Sequence, residues 1–143
     1  MAEPMTWENA IPALLERVPE LRPVYQQLLD SEGPPIEQYT LMHAAIAFAE
    51  DLGRVAQGAD TASPRAAETL RRLMDALEEM ATSCDPYLPD LAGAGFVEGM
   101  DPLDPGFDYL VSLMRPATRR MVVESFAPDW QQGQQRRPQS HGN

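Results

Sequence analysis

The amino-acid sequence predicts an all-α fold: an irregular stack of antiparallel helical hairpins, or a compact helical bundle, of about six to seven helices. Three observations predict it. Apolar residues recur at spacings of three and four along most of the chain. Proline stands where helices begin, at Pro19, Pro35, Pro64 and Pro86, and each leads into such a spacing. No alternating pattern of a half-buried strand occurs.

The first element is expected from Thr6 to about Val18. Thr6 is placed to cap it, with Asn9 where a capping box carries Glu or Gln. Pro12 lacks the donor that a continuing helix needs, so a broken or kinked start is expected. Pro19 opens a second helix, with Leu21, Val24, Tyr25, Leu28 and Leu29 as its apolar residues, and Gly33-Pro34-Pro35 ends it. Pro35 then serves as the first residue of a long third helix, Ile36 to Gln57. Its stripe of Tyr39, Met42, Ile46, Ala49 and Leu52 is widened by Leu41, Ala45 and Phe48, as in a helix packed on more than one side. Gly58 is a plausible stop.

Ser63-Pro64 pairs a cap with proline and opens a fourth helix to about Ser83, whose Leu70, Leu73, Met74, Leu77, Met80 and Ala81 share one face. Leu70, Leu73, Leu77, Ile46, Phe48 and Leu52 are expected in one core. Asp85-Pro86 repeats the signal for a fifth helix with Leu88, Leu91, Phe96 and Val97. Gly93, Gly95 and Gly99 weaken that helix and admit a close neighbour. Asp101 to Gly106 reads as a loop, followed by a short helix from Phe107 to Met114 and a last one, Ala117 to about Phe126, started by Pro116. Residues 1–127 are expected to form one helical domain, and residues 128–143, rich in Gln, Gly, Pro and Ser, a disordered tail.

Charge narrows the function classes. The chain of 143 residues carries 22 acidic side chains against 11 basic ones, a net charge of −11. Every one of those bases is Arg, a pattern read as GC-rich coding and a bacterial source. Phosphate contacts require basic side chains, so nucleic acid is an unexpected partner, as is an anionic membrane surface. No apolar run has the length of a membrane span, and the first residues do not read as a secretory signal. Cys84 is the single cysteine, which agrees with a reducing compartment, so a cytoplasmic protein is expected.

The acids are unevenly spread. Residues 73–114 contain no Arg or Lys, yet carry Asp75, Glu78, Glu79, Asp85, Asp90, Glu98, Asp101, Asp104 and Asp108. Asp75, Glu78 and Glu79 share one helix face by their spacing, where like charges repel. A basic partner would relieve that repulsion. Asp75, Glu78, Glu79, Asp85, Asp101, Asp104 and Asp108 are therefore the candidate partner-binding residues; a merely solvated acidic face is the competing reading. A second stretch without Arg or Lys, between Arg22 and Arg54, holds Asp30, Glu32, Glu37, Glu50 and Asp51.

Catalytic signals are missing. Asp101, Asp104 and Asp108 lack the ligand spacing of a calcium loop. His43 has no Cys or His partner at zinc spacing, and Cys84 has no placed activating His. There is no Gly-rich phosphate loop and no nucleophile elbow. No catalytic residue, cofactor or metal is expected.

Leu73 to Ala81, Asp85 to Asp90 and Gly95-Phe96-Val97-Glu98-Gly99-Met100 resemble uncharacterised small acidic bacterial helical domains with a helix, an Asp-rich turn and a small–Phe–x–Glu stretch. Such domains are similar to immunity proteins of bacterial toxin systems. The resemblance covers under a quarter of the chain and carries over no functional residue. It implies a non-enzymatic binding protein, an immunity-type inhibitor or adaptor that occludes a basic partner such as a toxin. The alternatives are an enzyme with an unrecognised acidic site and a structural subunit of a helical homo-oligomer.

Overall fold

A computed structural model describes residues 3–58 and 64–126. The expected disordered tail, 128–143, and the expected cap Ser63 lie outside the described residues. Those described are all-α, with no strand among them. The helices are α1 (Ala10–Arg17), α2 (Arg22–Glu32), α3 (Gln38–Gly58), α4 (Pro64–Ala81), α5 (Tyr87–Gly93), α6 (Phe107–Leu113) and α7 over residues 116–126. Short 3-10 turns occupy Pro19–Leu21 and Val97–Gly99.

Helices α3 and α4 form the centre. Helix α4 packs on α1, α3, α5 and α6, while α3 also meets α1, α2, α5 and α6. The core-facing side of α4 is formed by Leu70, Leu73, Met74, Leu77 and Met80, all buried. Ile46 is buried in the same core, but Phe48 and Leu52 are only half-buried, which corrects their expected place. They line a cleft of about 220 Å³ with Glu20, Val55, Arg65, Ala66 and Thr69. The α3 stripe is wider than the surface α4 can cover.

Three local expectations need correction. Pro12 does not break α1, because it falls in the first turn, where no i−4 carbonyl awaits its missing N–H. The helix starts at Ala10, later than expected, while Thr6 and Asn9 make the reciprocal pair of a capping box ahead of it: the Thr6 amide donates to Asn9 Oδ1 at 2.7 Å and the Asn9 amide to Thr6 Oγ1 at 3.2 Å. Pro35 is not the first residue of α3. Ile36 is buried in the lead-in, and the helix begins at Gln38, whose side chain donates to the Trp7 carbonyl at 3.0 Å. The fifth helix is cut at Gly93, and Phe96 and Val97 enter the core beyond it.

The glycines explain that cut. A Cβ on Gly95 would lie 2.2 Å from the Leu91 carbonyl oxygen, and one on Gly99 would lie 2.5 Å from Ile46 Cδ1. Hydrogen at Gly95 lets the chain turn close over the Leu91 carbonyl of α5, and hydrogen at Gly99 lets it lie against Ile46 of α3 without displacing that side chain. No helix among the described residues is long and apolar enough to cross a membrane.

Candidate functional site

The seven candidate acids do not form one open face. The structure divides them by the partners the fold delivers. Glu79 is half-buried and accepts from Arg17 Nε at 2.7 Å, Arg17 Nη2 at 2.9 Å and the Met5 amide at 3.1 Å. Glu78 caps α7. It accepts the Ala117 and Thr118 amides at 3.0 Å each and the Thr118 hydroxyl at 2.9 Å. Burial alone would raise the Glu78 pKa, but these bonds outweigh it and hold the carboxyl below its ordinary value. Asp75 is exposed, and Arg115 reaches it at 3.4 Å. The expected repelling triplet is thus spread over three destinations, two of which stabilise the fold.

Asp85 joins two segments. Its Oδ2 accepts the Trp7 amide at 2.8 Å and its Oδ1 the Tyr87 amide at 3.1 Å. Asp104 is turned inward, with its side chain 10% exposed, and accepts from Arg54 Nη1 at 2.6 Å and from the Gly106 amide at 2.8 Å. Asp101 accepts the Leu103 amide at 2.9 Å but stays exposed, as does Asp108. Glu50 lies beside this loop and accepts the Asp101 amide at 3.3 Å. Its pKa is raised, first by burial and then by the nearby Asp104 and Asp101 charges, against the Asp101 amide and Arg54, which lower it.

A second pairing lies across α4. Arg72 grips Glu20 with Nη1 at 2.9 Å and Nη2 at 2.5 Å, and Thr69 donates to the same carboxylate at 3.1 Å. The Arg72 hydrogen bonds pull the Glu20 pKa down to about 2. Arg17, Arg72, Asp75, Ala76 and Glu79 line a cleft of about 260 Å³. Both guanidiniums in it already hold carboxylates, so it has little residual affinity for an anion.

The feature that sequence reading missed is aromatic. Trp7 lies 5.8 Å, centroid to centroid, from both Tyr39 and Tyr87, with planes tilted by 54° and 49°. Tyr87 is 64% exposed; Trp7 and Tyr39 are half-buried. The Tyr39 hydroxyl donates to Asp90 Oδ2, and that bond pushes its pKa up to about 12. The only linear signals were a Trp just ahead of α1 and a Tyr directly after Asp85-Pro86. Nothing in their spacing links positions 7, 39 and 87.

His43 and Cys84 are both exposed. Among the described residues no three His, Cys, Asp or Glu side chains converge as a metal-holding group. The family described as a domain of unknown function (DUF7674) matches residues 11–131, and the chain belongs to that family. No curated protein and no solved structure matches the chain.

Proposed function

We propose that this member of the DUF7674 family is a non-enzymatic protein-binding module that uses its acidic surface to engage a basic protein. The observation that carries the reading is charge: the chain bears −11, and Asp75, Asp90, Glu98, Asp101 and Asp108 stay exposed in a window without Arg or Lys. Such a field attracts a positively charged partner and penalises acidic ones. An immunity-type inhibitor of a toxin with a basic active site, such as a nuclease, is the form of this activity that the charge favours, in a cytoplasmic setting. The internal work of Glu78, Glu79, Asp85 and Asp104 moves the binding surface onto the remaining exposed acids.

The test is association kinetics with a partner co-purified from native cells, at low and high salt. Reversing Asp75, Glu98 and Asp108 to Lys should slow association, most at low salt, and leave the helical content unchanged. If the on-rate is insensitive to salt and to all three reversals, the acidic surface serves only solvation and the reading fails.

A further inference from the structure

The aromatic residues beside Asp90 have more structure than a solvated surface requires. Three separate parts of the chain, at positions 7, 39 and 87, bring their rings together. Trp7 is held at both ends of its backbone: Asp85 takes its amide and Gln38 donates to its carbonyl. Asp85 also takes the Tyr87 amide, so a single carboxylate ties down the backbone that carries two of the three rings. The rings are tilted rather than stacked, and the large Tyr87 ring stands mostly in water.

Asp90 completes the arrangement. It is three residues after Tyr87 on α5, on the same side of the helix, and Tyr39 donates to its Oδ2. No ion pair among the described residues engages Asp90. Aromatic faces attract cations, and a carboxylate at their edge supplies the counter-charge. A guanidinium suits both at once, because it is planar, stacks on rings and presents a fork to a carboxylate, whereas an ammonium is a compact and strongly hydrated point charge. Trp, Tyr and Arg are also the side chains that most often dominate binding energy at protein interfaces, and rings already held in place lose little freedom on binding.

We propose that Trp7, Tyr39 and Tyr87, with Asp90 at their edge, form a receiving site for an arginine side chain of a basic protein partner. The inference rests on the acidic-surface reading above and adds a specific anchor to it. The general field brings the partner in; the rings and Asp90 select one arginine and hold it.

The experiment uses the full chain with Trp130→Phe, so that Trp7 is the sole tryptophan reporter. Its fluorescence is titrated with a blocked Arg-Gly-Ser repeat peptide and with the matched peptide carrying Lys for Arg. The expected result is a saturable Trp7 response that is tighter for the arginine peptide. Tyr87→Ala and Asp90→Asn should each weaken it by roughly tenfold. Tyr87 is exposed and Asp90 makes one side-chain bond among the described residues, so unchanged circular dichroism is expected for both variants.

An absent response overturns the proposal, as does equal binding by the lysine peptide or by Tyr87→Ala. Self-association abolished by Tyr87→Ala would assign the rings to a second copy and also overturn it. The two readings fail differently. If binding keeps its salt dependence while Tyr87→Ala has no effect, only the arginine site is lost. If binding of either peptide shows no salt dependence, the acidic-surface reading falls with it.

Discussion

The Glu79 carboxylate clasps the Arg17 guanidinium with both oxygens, joining the end of α1 to α4 across 62 residues of sequence. Arg17 also donates to the Ala13 and Glu3 carbonyls, and Glu79 to Arg17 is therefore the centre of the N-terminal docking. Glu79→Ala should cost about 1.5–3 kcal/mol, the range for hydrogen bonds to charged groups. A double-mutant cycle with Arg17→Met, read by chemical denaturation, checks it. Additive losses would mean that the two side chains do not act together.

Glu78 performs the same kind of work at α7. Two of its three bonds satisfy N–H groups at the start of that helix, which the helix itself leaves without a partner, and the third takes the Thr118 hydroxyl. Glu78→Ala should cost about 1 kcal/mol and expose the amides of residues 117 and 118 to faster hydrogen exchange. Unchanged exchange there would show that the cap contributes nothing.

Leu73 and Leu77 are fully buried on α4, where it meets the other helices. Replacing either by Ala should cost about 2–5 kcal/mol. A loss under about 1 kcal/mol on chemical denaturation would contradict a close-packed centre.

Gly99 is tightly opposed to Ile46. Gly99→Ala places a Cβ 2.5 Å from Ile46 Cδ1, so the isoleucine must move. The expected loss is about 1–3 kcal/mol. Ile46→Val removes the obstructing methyl, and the double variant should recover part of that loss. No recovery would place the strain elsewhere.

Acid stability should follow Glu20. Its folded pKa, about 2, lies below its ordinary value of 4.5, so the unfolded chain binds the proton first as the pH falls. The stabilisation is therefore complete above 4.5 and is lost as the pH falls through about 2. Glu78 acts in the same direction, and Glu50 in the opposite one, because its raised pKa favours protonation in the folded state. Glu20→Gln should flatten the acid limb of a stability profile, while Glu50→Gln should raise the neutral-pH melting temperature. A lowered melting temperature for Glu50→Gln would mean that the attraction of its charge to the Asp101 amide and Arg54 outweighs its burial.

The sequence by itself determined the helices, most of their starts and the apolar faces that meet. Those features rest on local chemistry: a proline lacks its N–H wherever it stands, and spacings of three and four set a face within one helix. Leu70, Leu73 and Leu77 were legible for that reason. Local reading failed where packing chose between two acceptable local outcomes, as when burying Ile36 displaced the start of α3 beyond Pro35, or when α4 left Phe48 and Leu52 at the rim. The tertiary structure alone decided what the carboxylates do. A window with no base in its own sequence receives Arg17, Arg54, the Trp7 amide and the amides of α7 from 39 to 78 residues away. A carboxylate's energy depends on the donor beside it in space, and linear charge patterning records only its sign.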